Sequence, residues 1–264
     1  MLSGFSVREF SHEGLRYPVF RAGTGPGVVI MHEIPGITPQ VASFARRVAD
    51  EGFSVALPEM FGTTGRDLSG PYAGREILRA CIRREFHVLA ARGSSPITIW
   101  LRALCRDLHA EVGGVGVGAL GMCLTGNFAL ALMVDASVMA PVLSQPSLPF
   151  PVGSARRSAL HISDGDLEKV RQRVRSQGQK LLGLRFTRDP MCPPERFSRL
   201  RSELGEGFEG IEIDSSPGNS HGIPRTAHSV LTTDLVDVAG HPTREALDRV
   251  LAFFRERLCT EAGA

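Results

Sequence analysis

The sequence has few aromatic residues and no long hydrophobic segment. Aromatic side chains make up 6% of its 264 residues, and tryptophan occurs once. The longest apolar runs, GVVIM and FALALMV, are much shorter than the ~20 residues that a membrane-spanning helix requires. The N-terminal segment MLSGFSVREF contains charged residues and no extended apolar stretch, so we expect neither a secretory signal nor a membrane partner.

The sequence also has no large excess of charge of either sign, and its few cysteines are scattered. The formal net charge is only +2, with no basic tract, which argues against a nucleic-acid partner. The five cysteines are odd in number and show no spacing typical of a metal site. We therefore expect free thiols, no metal ion and a cytoplasmic location. The cysteines are Cys81, Cys105, Cys123, Cys192 and Cys259.

Strand-like and helix-like segments alternate along most of the chain. Near-continuous apolar runs such as GVVIMHEI are typical of strands buried on both faces of a parallel sheet. Repeated βα units predict an α/β fold, a doubly wound, mostly parallel sheet with helices on both faces. Without a linker or repeat, we expect a single domain over 1–264. The predicted sheet strands span 27–34, 53–62, 115–122, 180–189 and 208–214.

Three segments carry less regular patterns. We interpret YPVFRA (17–22) as an antiparallel edge strand, and SALHISDG (158–165) as a further strand. Residues 63–95 combine a loop-like stretch with an arginine-rich helical pattern, which predicts a small helical cap over the sheet edge.

Residues with catalytic chemistry follow several of these strands. Functional side chains gather at the carboxyl ends of strands in such sheets. Glu33 ends the first buried strand, Cys123 follows the strand 115–122, and Asp189 ends the strand 180–189. The last strand leads into SSPGNSHGIPRTAH, which contains His221 and His228. Nucleophile, acid and histidine in this order are typical of the α/β-hydrolase fold.

The segment GMCLTG has the form of a nucleophile elbow. Gly121 supplies the first small residue that the sharp turn requires, whereas Thr125 is bulkier than the glycine usual at the second position. A thiol at this turn needs a base to remove its proton, and the following helix places a partial positive charge nearby. We expect the backbone N–H groups of Leu124 and Ile34 to form the oxyanion hole.

Four segments together resemble the dienelactone hydrolase family. They are the stretch from VVIMHEIPG to PEMFG, GMCLTG around Cys123, RDPMCP around Asp189, and PGNSHGIPR around His221. The resemblance covers residues 15–255, with insertions at 63–95 and 147–180.

The resemblance implies an α/β-hydrolase fold with a Cys-His-Asp triad and no cofactor. It implies that Glu33 lies beside the thiol of Cys123 and helps to hold its proton. Substrates of this family commonly carry a carboxylate, which an arginine can bind with two hydrogen bonds. Arg225, four residues after His221, matches a family position, and Arg83 and Arg84 are further candidates from the cap.

The histidine of the triad stays open between two residues. His221 is favoured by the preceding Pro-Gly pair, by Arg225 and by its distance from Asp189 along the chain, and His228 by the following serine and apolar residue. The sequence thus predicts a hydrolase for a small ester or enol-lactone, acting as a monomer or small homo-oligomer. The alternatives are a carboxylesterase or thioesterase with another substrate, and a non-catalytic binding protein on a hydrolase scaffold.

Overall fold

One eight-stranded sheet forms the centre of the molecule. The computed structural model describes residues 2–67, 69–82, 86, 95–148 and 152–259. The strand order across the sheet is β1-β2-β4-β3-β5-β6-β7-β8. The strands are β1 (Ser6–His12), β2 (Leu15–Ala22), β3 (Gly27–Met31), β4 (Ser54–Pro58), β5 (Val117–Met122), β6 (Val138–Ser144), β7 (Leu181–Phe186) and β8 (Phe208–Ile213).

The mostly parallel sheet agrees with the prediction, but its antiparallel end differs. β1 pairs with β2 and β2 with β4 in antiparallel fashion, and the other neighbours are parallel. The edge strand is therefore β1, and the predicted edge strand 17–22 is an inner strand. Glu13 and Gly14, with φ of 46° and 79°, form the tight two-residue hairpin that connects the two. This hairpin places β1 outside β2.

Helices cover both faces of the sheet, as expected. Alternate residues of β3 point to opposite faces: Val28 and Ile30 belong to one apolar cluster, and Val29 and Met31 to the other. The first cluster is covered by α1 and α8, and the second by α3, α4, α6 and α7. The helices are α1 (Pro39–Asp50), α2 (Gly70–Ile82), α3 (Pro96–Val112), α4 (Gly126–Leu132), α5 (Ser154–Arg157), α6 (Asp164–Gln177), α7 (Pro194–Leu204) and α8 (Pro242–Leu258).

The segment 158–165 is not a strand, so that prediction is wrong. β6 already pairs with β7 at Val142 and Leu182, which leaves no free edge between them. Backbone carbonyls of the segment instead accept hydrogen bonds from arginine side chains of α7, as Ala159 does from Arg196 at 2.8 Å. The apolar residues of the segment are buried in a loop. Its apolar character therefore reflects burial without strand pairing.

Only part of the predicted cap can be described. Within 63–95, α2 is helical, and the buried ring of Phe86 packs on those of Phe61 and Phe128. This contact joins the cap segment to α4, the helix that follows Cys123. Across the described ranges, no helix is both long and apolar enough to cross a membrane.

His32 connects the loops that follow β3 and β4. Its Nε2 accepts the backbone N–H of Met60 at 3.1 Å, and its Nδ1 lies 3.0 Å from the carbonyl oxygen of Glu33. Because Nε2 accepts, Nδ1 must carry the proton and donate. Burial lowers the pKa of His32 to about 4. The ring is therefore a neutral structural link between the two loops.

We predict that His32 makes the protein less stable in mild acid. Since its pKa falls from the ordinary 6.5 to about 4 on folding, the unfolded chain binds the additional proton between these values. This contribution to stability is complete above pH 6.5, is lost as the pH falls, and costs about 1 kcal/mol by pH 5.5. Urea unfolding at pH 7.5 and 5.5 measures it.

The matched comparison is His32→Gln against His109→Gln, which replaces a histidine at the surface of α3. His32→Gln should be less stable at pH 7.5 and show a smaller difference between the two pH values. An unchanged difference in His32→Gln would contradict this assignment.

Candidate active site

The chain turns sharply at Cys123, directly after β5. Cys123 has φ of +55°, a left-handed conformation that a residue with a Cβ rarely adopts. Gly121 allows this turn, because a Cβ on it would lie 2.1 Å from the carbonyl oxygen of Thr125. A short 3-10 turn over Cys123–Thr125 then leads into α4. The strained turn thus presents a partly exposed thiol at the carboxyl edge of the sheet.

Thr125 fills the position where the elbow usually has glycine. Its hydroxyl accepts the backbone N–H of Met122 at 2.9 Å and lies 2.8 Å from the carbonyl oxygen of Met31 at the end of β3. The side chain is completely buried. The hydroxyl therefore ties the elbow to the start of the loop that carries Glu33 and Ile34.

Asp189 and His228 form a direct pair. Oδ2 of Asp189 lies 2.6 Å from Nδ1 of His228, and its Oδ1 accepts the backbone N–H of Met191 at 2.9 Å. The turn that holds His228 is fixed by Asp234, whose Oδ2 accepts the backbone N–H groups of His228 and Ser229, each at 2.8 Å. This is the carboxylate–imidazole arrangement that orients a catalytic histidine.

The second ring nitrogen of His228 is available for the thiol. This Nε2 is buried and makes no well-oriented hydrogen bond with any of the described residues. Burial lowers the pKa of His228, but the interactions with Cys123 and Asp189 outweigh it and raise the pKa well above 6.5. A carboxylate on one side of the imidazole and an ionised sulfur on the other both favour its protonated form.

His221, the histidine that the sequence favoured, lies elsewhere. It is exposed, and its ring packs on that of His241 with centroids 5.3 Å apart. The loop after β8 is longer than the family pattern implies, so the residue that reaches Asp189 is His228. Arg225 is also exposed. The sequence match around His221 therefore marks a surface segment of this loop.

Glu33 is buried and surrounded by hydrogen-bond donors. Its Oε2 accepts from the hydroxyl of Ser229 at 2.7 Å and from Nε2 of Gln145 at 3.2 Å, and its Oε1 accepts from Thr232. No hydrogen bond joins Glu33 to Cys123 in the described part of the chain. Glu33 therefore links the loop after β3 to the end of β6 and to the histidine turn.

The predicted oxyanion hole has a consistent backbone arrangement. The N–H of Ile34 makes no hydrogen bond with another backbone group of the described residues. Leu124 is the second residue of the 3-10 turn Cys123–Thr125, where N–H groups lack partners from a preceding turn. Arg83 and Arg84, the candidate substrate-binding residues of the cap, lie outside the described residues.

Several residues around the site were not identified as site residues by the sequence analysis. Gln145 directly follows β6, so extending the strand-end rule to that strand finds it. Ser229 and Thr232 could be found only after choosing His228. No cluster of three or more His, Cys, Asp or Glu side chains suited to a metal ion occurs within the described ranges.

Comparison with known proteins places this site in a family context. A sequence model of the dienelactone hydrolase family matches residues 17–258. The "Putative carboxymethylenebutenolidase" of Saccharomyces cerevisiae is 26% identical over 197 residues, which cover 71% of this chain and 67% of that protein.

Solved structures share the fold at low sequence identity. The dienelactone hydrolase-like promiscuous phosphotriesterase P91 from metagenomic libraries is 20% identical with a TM-score of 0.61, covering 97% of this chain and 99% of that one. Dienelactone hydrolase from Anabaena variabilis is 13% identical with a TM-score of 0.58, covering 96% and 98%. These likenesses support the α/β-hydrolase fold.

We predict that the hydroxyl of Thr125 stabilises the elbow. Thr125→Val keeps the shape of the side chain but leaves the buried N–H of Met122 without a partner, which should cost about 1–3 kcal/mol. Thr125→Ser keeps the hydroxyl and serves as the matched control, with a loss of about 1 kcal/mol for the methyl group. Urea unfolding compares the two, and a valine variant as stable as the serine variant would refute the assigned role.

Proposed function

This chain belongs to the dienelactone hydrolase family, and we propose that it hydrolyses carboxylic esters or enol-lactones through Cys123, His228 and Asp189. Family membership supports hydrolase activity. The observation that carries the finer proposal is the hydrogen bond between Asp189 and His228. It leaves the buried Nε2 of the imidazole without a partner among the described residues, and His228 interacts electrostatically with Cys123.

In the first step, the Cys123 thiolate attacks the carbonyl carbon of the substrate. The thiol proton resides on His228, and the tetrahedral oxyanion accepts hydrogen bonds from the N–H groups of Leu124 and Ile34. When the intermediate collapses, the carbon–oxygen bond to the leaving group breaks and His228 returns the proton to that oxygen. The products of this step are an alcohol or enol and a thioester on Cys123.

In the second step, water hydrolyses the thioester. His228 accepts a proton from the attacking water, and a second tetrahedral intermediate forms in the same oxyanion hole. Its collapse breaks the carbon–sulfur bond, releases the carboxylic acid and restores the Cys123–His228 pair. Asp189 stays ionised and orients the imidazole throughout. The atoms balance with water as the only co-reactant.

Glu33 has a different role in this proposal from the one that the resemblance implies. Its carboxylate accepts hydrogen bonds from Ser229 and Thr232, both close in sequence to His228. We propose that Glu33 positions the histidine turn against the loop that carries Ile34. The proton of the thiol is then exchanged with His228 alone.

Cys123→Ala should lower the hydrolysis of a nitrophenyl ester by at least about 10³-fold, because the acyl-enzyme cannot form. His228→Gln should lower it by about 10²–10⁴-fold, the usual effect of removing a general base. His221→Gln is the matched control and should retain the wild-type rate, since His221 is exposed and its ring packs on that of His241. Steady-state kinetics measure all three.

Two results would overturn this assignment. Full activity in Cys123→Ala would exclude the cysteine mechanism, and loss of activity in His221→Gln with full activity in His228→Gln would reverse the choice of histidine. Binding of lactones without turnover by the wild type would favour a non-catalytic scaffold.

The substrate carboxylate provides a second test. We propose that Arg225 attracts a carboxylate-bearing substrate by its positive charge, since it is exposed and lies three residues before His228 in the sequence. Arg225→Gln should raise KM about threefold to tenfold for an enol-lactone with a carboxylate and leave kcat unchanged. The methyl ester of the same lactone is the control and should show no change in KM, and equal effects on both substrates would contradict the role.

A further inference from the structure

Arg196 of α7 is a completely buried cation beside the site. Its guanidinium is bound by four backbone carbonyl oxygens, and its side chain is 0% exposed. Buried charge is costly unless hydrogen bonds and opposite charge compensate it. The carbonyls supply four hydrogen-bond acceptors, but they are dipoles and bring no net negative charge. The carbonyls belong to Pro146 at 2.6 Å, Ala159 at 2.8 Å, and Arg156 and Met191 at 3.3 Å each.

Two of these carbonyls belong to residues that are connected to Cys123 and Asp189 through a backbone N–H group. Pro146 precedes Ser147, whose backbone N–H donates to the carbonyl oxygen of Cys123 at 2.9 Å. The backbone N–H of Met191 donates to the carboxylate of Asp189 at 2.9 Å. The guanidinium therefore connects the loop beside the nucleophile to the loop that carries the acid.

No carboxylate forms an ion pair with Arg196 within the described ranges. Arg185, another buried arginine of the same region, differs because it pairs with Glu212. Burial lowers the pKa of Arg196, and its interactions with Cys192, Asp189 and Cys123 act in the opposite direction. Arginine nevertheless stays protonated in proteins. Its charge must be compensated through space.

The anions available for this are those of the triad. Asp189 is 3% exposed and shares its charge with the imidazole of His228. With a thiolate, an imidazolium and a carboxylate, the triad has a net charge of −1, which one cation cancels. The triad and the guanidinium together are thus neutral.

We propose that Arg196 is the buried counter-charge of the triad, a positioning residue whose cation stabilises the carboxylate of Asp189 and the thiolate of Cys123. The proposal rests on the proposed function, in which Cys123 acts as a thiolate. Because Arg196 and Asp189 are buried, one elementary charge acts on another over several ångströms with less screening than in water. Removing it should disfavour the thiolate.

Other charged groups around the site are already compensated or neutral. Burial raises the pKa of Cys192 to about 12, so this thiol stays protonated over the tested range. Glu33 has its three donors, and Glu195 pairs with Arg157 at the surface. His32 is neutral. The following groups near Arg196 and the triad carry a charge or a titratable proton, and each is a possible contributor to the pH dependence of alkylation: Cys123, His228, Asp189, Arg196, Arg185, Glu212, Glu33, Glu195, Arg157, Arg156, His161, Cys192 and His32.

Alkylation of Cys123 by iodoacetamide tests the proposal directly. The rate is measured from pH 5 to pH 10 by mass spectrometry of the peptide that contains Cys123, so that other thiols do not contribute. The variants are Arg196→Met, Arg196→Gln and Arg196→Lys. Arg173→Met is the matched control, because Arg173 is another buried arginine held by carbonyls, those of Met133, Asp135 and Val138.

Loss of the charge should shift the alkylation profile to higher pH. In Arg196→Met and Arg196→Gln we expect the midpoint to rise by about one pH unit, so that alkylation at a pH below both midpoints slows about tenfold. Arg196→Lys should restore the profile to within about twofold, although it loses the planar hydrogen bonds. Arg173→Met should lower thermal stability without moving the midpoint.

Two outcomes would overturn the proposal. One is an unchanged alkylation midpoint in Arg196→Met or Arg196→Gln, whichever of them folds. The other is a shift in Arg196→Lys as large as that in the uncharged variants, which would make the role of Arg196 purely structural. Failure of the proposed function is separate, because alkylation does not require hydrolysis. Hydrolysis that survives in Cys123→Ala would reject the catalytic role while leaving the alkylation result intact.

Discussion

The left-handed backbone at Cys123 is the constraint on which the rest of the site depends. It lifts the thiol out of the sheet edge, and it is possible only because Gly121 lacks a Cβ that would meet the carbonyl of Thr125 at 2.1 Å. The hydroxyl of Thr125 then joins the turn to the end of β3. Cys123 and the loop with Ile34 are thereby held by one buried side chain, so that the proposed nucleophile and oxyanion hole keep a fixed relation.

Buried polar networks place the other groups around this turn. Glu33 joins the loop after β3 to the end of β6 and to the histidine turn through Gln145, Ser229 and Thr232. Arg196 joins the loops beside the nucleophile and the acid through backbone carbonyls. Fully satisfied networks of this kind are expected to be rigid, because leaving one member unpaired inside the protein is expensive. Loops that lie far apart in the sequence are thus held in fixed positions relative to one another.

The sequence was most informative where a residue is fixed by its own strand. Cys123, Asp189 and Glu33 each follow a buried strand, and the sheet brings those ends together whatever lies between them. The histidine sits far along an irregular loop, whose path depends on contacts such as the capping of its turn by Asp234. Motif spacing therefore favoured His221, whereas the residue in contact with Asp189 is His228. The outer strand β1 was missed for a similar reason, since none of its residues is buried and it is defined by its hairpin.

The most direct test of the account is the identity of the acylated residue during turnover. The enzyme is mixed with an activated acetate ester, quenched in acid within the first turnover and digested for peptide mass spectrometry. The account predicts one acetyl group on the peptide that contains Cys123, removable by hydroxylamine as a thioester is, and its absence in Cys123→Ala. Turnover of the ester with no acyl group on Cys123, or with the group on another residue, would contradict the central claim.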